Sequence, residues 1–311
     1  MKLLDNIFSI ADGYDTLFVD VYGVLFDGLS MYEGVLDTLK QLKKDGKKIV
    51  ILSNTTQLTP EAVKGYAERG MLIGTHYDYY ITSGEFLRNE LIHNKPAMEA
   101  QIGRPINAVK FMFIGSKGIF EGTNVKVVDD FKSADAIYVA PPRSSYGAVR
   151  IDALLDENDR SVSIEDFLYY DWRKLKDREG RQGLAEFARM LEIALEHNLL
   201  LLIANSDIFA HTSTDDRGIY PNLTQGGIGR YYEIFYRGKA LYFGKPHPGI
   251  FEFAKQQTAS QDDKIVMVGD TLWTDIIGAQ QSGIDSAMVT TGITHEVFRN
   301  IPNRGIKDKL S

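Results

Sequence analysis

The chain repeatedly ends a short apolar strand on a residue that can do chemistry. LFVD closes on Asp20, Ser53 and Asn54 follow IVIL, Lys245 follows LYFG, and Asp270 follows IVMVG. Segments of helical spacing stand between these strands. Such alternation restricts the chain to parallel pairing with right-handed crossovers, because parallel neighbours need a long connection, usually a helix. In an open parallel sheet the strand C-termini share one edge, where residues distant in sequence become neighbours. The grammar therefore says where a site must form before any residue is given a role.

TLFVDV, KKIVILSN and YDYYITSG read as strands, separated by the helical segments VLDTLKQLKKDG and TPEAVKGYAERG. The first helix has a basic last turn and a closing glycine. The second has Thr59 as N-cap, Pro60 at its first position and Gly70 as its stop. The same grammar resumes in ALYFGK, PHPGIFEFAKQQ, DKIVMVGD, TDIIGAQQSG and DSAMVTTG. Neither end alone supplies a complete covered sheet, so the two must combine. The expected fold class is α/β: a doubly wound, mostly parallel sheet from residues 1–84 and 239–311, with a second α/β domain, 85–238, inserted into it. Within the insertion KFMFIG, NVKVVDD, AIYVAPP and LLLLIAN read as strands, and GLAEFARMLEIALEHN as a helix. Residues 150–181 carry sixteen charged side chains in thirty-two. They read as a solvated excursion, with a partner surface as the alternative.

With 311 residues, 44% of them apolar, the chain can bury a substantial core. The absence of cysteine excludes disulfides and thiolate catalysis. A net charge of −7 argues against a nucleic-acid footprint. The longest strongly apolar stretch, Leu199–Ala204, is too short to span a bilayer. Asp5 interrupts the opening apolar run, unlike a signal peptide. The expectation is a soluble, cytoplasmic protein with neither nucleic acid nor membrane as partner.

Each candidate residue has an ordinary alternative. Asp20, in VDVYGVLFDG, presents a carboxylate at a turn near Gly23, or caps an Asx-type turn. Ser53-Asn54-Thr55-Thr56 offers hydroxyls, an amide and backbone N–H groups to phosphate oxygens, or is a plain polar loop. Lys245 can balance a carboxylate and a phosphate together, or is a surface lysine at a turn. Asp270 and Asp275, in VMVGDTLWTDIIGAQQSG, are hard oxygen ligands on a fixed loop, while Asp275 also fits a helix cap. Gathered at one sheet edge, these groups suit Mg²⁺ and a phosphoryl group. Asn205, Asp207 and His211 follow the strand LLLLIAN, where ligand contacts concentrate, and are candidates for selecting a substrate. Gln225–Gly229 reads as a flexible loop; its G-G-x-G is no dinucleotide fingerprint. The six histidines show no metal spacing.

VDVYGVLFDG, LSNTT, FGKPHPGIF and GDTLWTDIIGAQQSGIDSAMVTTG, taken in order, resemble the four motifs of the haloacid dehalogenase superfamily. ITSG before the insertion and LLLLIANSD near its end resemble subclass IIA, the branch of NagD-type, nitrophenylphosphate and pyridoxal-phosphate phosphatases. That branch carries an α/β cap between the second and third motifs. The resemblance implies that Asp20 attacks phosphorus to form an aspartyl-phosphate. It also implies Mg²⁺ held by the Asp20 carboxylate, the backbone carbonyl of Tyr22 and Asp270, with Asp275 orienting ligands. Ser53 and Asn54 would bind phosphate oxygens, and Lys245 would balance charge. The implied substrate is a small phosphorylated metabolite (sugar phosphate, nucleotide or cofactor phosphate), and a homodimer is compatible with the branch.

One position departs from the pattern. Phosphatases of this family carry a second aspartate two residues after the first, to protonate the leaving group and then activate water. This chain has Tyr22 there. A phenol of pKa near ~10 is a poor base at neutral pH, and losing a positioned acid–base group costs about 10²–10⁴ in rate. Tyrosine at this position also resembles the dehalogenases themselves, which act on carbon without metal, whereas the two acids of GDTLWTD suit Mg²⁺. The expectation is a Mg²⁺-dependent phosphatase with weakened acid–base assistance. The alternatives are a metal-independent dehalogenase-like hydrolase and a catalytically weak protein that binds a phosphate ligand. Hinges for cap movement are expected near Gly84 and Gly238.

Overall fold

Strands buried on both faces read as continuous apolar runs, and that is how the three inner strands of the first sheet are built. Its members are Thr16–Val19 (β1), Lys48–Ser53 (β2), Tyr79–Thr82 (β3), Ile265–Gly269 (β11) and Asp285–Met288 (β12), numbered along the chain. The computed structural model describes residues 6–142, 172, 181–215, 218–260 and 262–292, without the side chains of 181–183 and 211–221. The charged segment 150–181 therefore lies outside the described residues, apart from Trp172 and the backbone of residue 181.

The first sheet has the order β12-β11-β1-β2-β3, and β1 pairs in parallel with both β2 and β11. The chain leaves the central strand for β2 and β3 on one side and returns later to β11 and β12 on the other. Between β1 and β11 lies the topological switch point, where crossovers diverge and leave a crevice beyond the strand C-termini. Helix Val35–Lys44, which joins β1 to β2, buries Leu39 and Leu42 and carries Lys43 and Lys44 in its last turn. Cations there complement the negative end of the helix dipole. Helix Pro248–Thr258 buries Ile250, Phe251 and Ala254.

A second sheet contains Ala108–Met112 (β4), Lys126–Val128 (β5), Ala136–Val139 (β6), Leu200–Ile203 (β7) and Ala240–Tyr242 (β10), in the order β10-β7-β6-β4-β5. All its pairs are parallel. Phe209–Asp215 (β8) and Gly218–Leu223 (β9) form a separate antiparallel hairpin. Helix Arg181–Glu196 buries Leu184, Phe187 and Leu191 in the same apolar cluster as Trp172, whose indole stacks on Tyr231 at 3.8 Å.

Contacts divide the chain into one unit of residues 1–53, 59–81 and 245–311 and another of 54–58 and 82–244. The expected boundaries, 84/85 and 238/239, shift accordingly. Ala240–Tyr242, expected in the first sheet, pairs with β7 in the second. Three apolar residues carry no pattern that names their partner, so tertiary pairing decides. Two further expectations are corrected. Gln225–Gly229 is no loop but opens helix Gln225–Tyr236; a Cβ at Gly226 would overlap the carbonyls of Ser206 and Asp207, so glycine there allows close backbone approach. The helix after Asp270 begins earlier than expected, with a π turn at Leu272–Ile276 followed by α-helix Ile277–Gln281. At the expected hinges, Gly84 packs against the Thr56 carbonyl and Gly238 against the Tyr232 ring, each where a Cβ would overlap. Among the described residues no helix is long and apolar enough to cross a membrane.

Candidate active site

Strand register assembles the site. Val19 of β1 is aligned with Ile51 of β2 and Val268 of β11. One step further, Asp20, Leu52 and Gly269 line the same edge, and Ser53 and Asp270 come next. The Asp20 N–H continues the ladder by donating to the Val268 carbonyl at 2.9 Å.

Lys245 enters this edge between β10 and helix Pro248–Thr258, after which the Lys245–Pro246 peptide is cis. Its side chain is 2% exposed. Nζ donates to Asp20 Oδ1 at 2.7 Å, Asp275 Oδ1 at 2.7 Å and the Leu52 carbonyl at 2.8 Å. Burial opposes the charge on this amine most strongly, yet Asp20 and Asp275 together push its pKa above the ordinary lysine value. It stays an ammonium.

Asp275 is fully buried. Oδ1 meets Lys245, and Oδ2 accepts the Thr271 N–H at 3.1 Å, while the Asp275 N–H returns to the Thr271 carbonyl at 3.0 Å. One carboxylate thus both closes its own turn and holds the lysine. Asp270, 2% exposed, accepts from the Thr271 hydroxyl at 3.0 Å. Gly23 leaves room for it: a Cβ there would overlap the Asp270 carboxylate, and its φ of 80° also favours glycine.

Oxygens of Asp20, Asp270 and Asp275 lie within 4.8 Å of one another. Burial raises the Asp20 pKa well above the usual carboxylate value; Lys245 opposes this, and the negative charges of Asp275 and Asp270 reinforce it. Three carboxylates gather here, and the Lys245 ammonium bonds to two of them, Asp20 and Asp275. The donor set is all hard oxygen, the kind that holds Mg²⁺ or Ca²⁺. With both its oxygens engaged, Asp275 suits an orienting role, leaving Asp20 and Asp270 as the carboxylates to meet a cation.

Tyr22 is 39% exposed, its ring edge-on to Phe26 at 5.4 Å. Phe26 meets Tyr66 at 5.9 Å, and Tyr66 stacks with Tyr80 at 5.7 Å. The Arg69 guanidinium lies 5.4 Å from the Phe26 centroid and 5.9 Å from that of Tyr66. Burial, aided by Asp20, raises the Tyr22 pKa against the opposing influence of Arg69 and Tyr66. At neutral pH Tyr22 is therefore a phenol that can donate a hydrogen bond, not a phenolate base. Asp27 does not stand in for the missing aspartate. Its Oδ1 accepts the N–H groups of Leu29 and Ser30 at 2.7 Å each, in a local turn.

Ser53, 3% exposed, closes β2. Asn54, the next residue, groups with the second unit, where its Nδ2 donates to Asp207 Oδ1 at 2.9 Å. Asn205 Oδ1 accepts the Asp207 N–H at 2.8 Å. The His211 side chain lies outside the described residues. Sequence reasoning missed Tyr66, Arg69 and Tyr80. Their signal, an aromatic near the end of helix Thr59–Ala67, a basic residue three positions on in the following turn and an aromatic in a neighbouring strand, is indistinguishable from ordinary packing.

A family profile described as "Haloacid dehalogenase-like hydrolase" matches residues 17–122, and a HAD-hydrolase-like profile matches 242–304. Phosphoglycolate phosphatase 2 of Arabidopsis thaliana is 24% identical over 97% of this chain and 90% of its own length. Ribonucleotide monophosphatase NagD of Escherichia coli is 32% identical, over 32% of this chain and 39% of its own length. Among solved structures, a haloacid dehalogenase-like hydrolase from Brucella suis 1330 superposes with a TM-score of 0.66 at 21% identity, covering 94% of this chain and 95% of that one. The last likeness shows a shared fold. The two profiles follow one another along the chain, and the chain belongs to the haloacid dehalogenase-like hydrolases.

Proposed function

We propose that this protein hydrolyses a small phosphomonoester, by way of an aspartyl-phosphate on Asp20 and with Mg²⁺ as cofactor. The observation that carries the reading is Lys245, buried and bonded at 2.7 Å to both Asp20 and Asp275, inside a cluster of three carboxylates. A nucleophilic carboxylate and a phosphate dianion repel one another until cations screen them. Asp20 and Asp270, with the Tyr22 carbonyl, are the groups that would hold Mg²⁺, which supplies charge neutralisation and Lewis acidity when bound.

The chain's own groups then divide the work. Lys245 orients Asp20 and opposes the effect of burial on its pKa, so that with a bound cation the carboxylate is ready to attack. An Asp20 oxygen bonds to phosphorus as the ester P–O bond breaks, and the leaving alkoxide takes a proton from water, assisted by the Tyr22 hydroxyl as a hydrogen-bond donor. Ser53 and Asn54 hold the non-bridging oxygens. Water then attacks the acyl-phosphate at phosphorus, releasing inorganic phosphate and restoring the carboxylate. Without a carboxylic acid at position 22, proton delivery is weak, so esters with good leaving groups are favoured. The phosphatase relatives direct the search toward phosphorylated two-carbon acids and nucleoside monophosphates, within the wider class of sugar, nucleotide and cofactor phosphates.

The test is a phosphate-release screen over phosphorylated metabolites and p-nitrophenyl phosphate, with and without Mg²⁺. Release that needs Mg²⁺ and vanishes in Asp20→Asn is the expected result. Release surviving exhaustive chelation would point to metal-independent hydrolysis, and tight phosphate binding without release to a binding protein; either overturns the reading.

A further inference from the structure

One part-buried polar pair lies outside the carboxylate–lysine cluster and is not explained by charge neutralisation. Asn54 is 5% exposed, and its Nδ2 donates to Asp207 Oδ1 at 2.9 Å. Asp207 is itself fixed in place. Its N–H donates to Asn205 Oδ1 at 2.8 Å, and its carbonyl accepts from the Thr224 hydroxyl. The opposite end of the Asn54 amide is shaped as tightly: Asn54 Oδ1 would lie 2.5 Å from a Cβ at Gly244, whose N–H donates to Ser206 Oγ at 3.1 Å.

Carboxylate chemistry gives this pair a meaning. The two ends of an asparagine amide have almost the same shape, so sterics alone rarely choose between its two flips. An ionised carboxylate accepts hydrogen bonds and cannot donate them. Beside Asp207, therefore, the amide nitrogen of Asn54 must face the carboxylate, and its carbonyl must face Gly244. A side chain meant to offer N–H to phosphate oxygens gains from being denied the opposite flip. Electrostatics alone argues the reverse, since a carboxylate near a dianion weakens its binding.

We infer that Asp207 is a positioning residue for phosphate binding, acting through Asn54 by locking the orientation of its amide. The inference rests on the proposed role of Asn54 in holding phosphate oxygens, and it moves Asp207 from substrate contact to support of the phosphate loop.

Two probes separate these ideas: inorganic phosphate binding by calorimetry in Mg²⁺, and turnover of p-nitrophenyl phosphate. Asp207→Asn keeps the shape but can donate as well as accept, freeing the flip. It should weaken phosphate binding about tenfold, the scale of one hydrogen bond to a charged group, and raise KM more than it lowers kcat. Asn54→Ala should cause a similar loss, and the double variant should be no weaker than Asn54→Ala alone. Asp207→Glu, still acceptor-only, should recover part of the loss. Asp207→Ser replaces Asp207→Asn if the latter fails to fold. Phosphate binding that is unchanged or tighter in Asp207→Asn, or losses that simply add, would overturn the inference. A wild-type protein that binds phosphate in an Asp207-dependent way yet releases none would sink the proposed function and leave this inference standing. A wild-type protein that turns over ester with Asp207→Asn unaffected would do the opposite.

Discussion

The start of β1 and its end, four residues apart, handle charge in opposite ways. At the start, Asp263 Oδ2 accepts from the Thr16 hydroxyl and from Lys48 Nζ, each at 2.9 Å. Lys48 above all holds the Asp263 pKa below the ordinary value, against a smaller effect of burial. At the end, Asp20 shares its lysine with Asp275 and faces Asp270 as well, and its pKa is driven up by burial. The first arrangement matches one acid to one base and stabilises the fold. The second sets two carboxylates on one ammonium with a third beside them, a crowding of like charge that disfavours the metal-free fold and readies the site for a cation. A single strand thus separates a stability device from a reactive one, as expected where function is maintained against stability.

The sharpest break of this comparison is catalytic. Asp20→Asn should lower phosphate release by at least ~10³-fold, the scale seen when a nucleophile is removed, whereas Asp263→Asn should leave the steady-state rate within about twofold, since surface-type changes far from the chemistry act weakly. Comparable losses in both variants would mean that the two ends do not divide as argued. Next in size is Tyr22→Asp. Supplying a carboxylic acid where the phenol stands should raise turnover of an alkyl phosphate by ~10-fold or more, toward the usual acid–base contribution, with little gain for p-nitrophenyl phosphate, whose leaving group needs no proton. An alkyl ester no faster than before would remove Tyr22 from the account of weak proton delivery.

What could be read in advance follows from which residues depend on local grammar. Asp20, Ser53, Lys245, Asp270 and Asp275 were legible because each ends or follows a strand in an alternating pattern, and parallel pairing sends those ends to one edge. Topology alone was not enough. The second sheet repeats the arrangement, with β4 paired to β5 on one side and β6 on the other; yet β4 and β6 run out into Phe113 and Ala140, which offer no comparable chemistry. Tyr66, Arg69 and Tyr80 stayed hidden because their roles arise from ring and guanidinium contacts around Tyr22 that no spacing rule encodes. Asn54 was found as a polar strand-end residue, but its tie to Asp207 spans 153 positions and belongs to tertiary structure. The helix Gln225–Tyr236 was masked by glycines whose cause is the backbone of Ser206 and Asp207 packed against them.

The remaining predictions turn on how the two carboxylates respond to acid. Asp20 has a folded-state pKa above its unfolded one, so the folded chain takes up that proton first. Its contribution to stability then rises as pH falls from neutral through the folded value. Asp263 has the opposite shift: its contribution is present above the unfolded carboxylate pKa and is lost as pH falls through the lower folded value. Thermal melts in chelator across this range should show Asp20→Asn abolishing the acid-side gain and stabilising the metal-free protein near neutrality. Added Mg²⁺ should erase that difference by binding the folded wild type alone. The smallest effect belongs to Asp263→Asn. Because Lys48 remains about one-third exposed (31%) and solvent screens the pair, the loss near neutral pH should be about 1 kcal/mol, shrinking toward nothing as acid protonates the wild-type carboxylate. If Asp263→Asn instead destabilised equally at every pH, the carboxylate would be acting through its shape and its bond to Thr16, and the matched pair at the start of β1 would be no electrostatic counterpart to the cluster at its end.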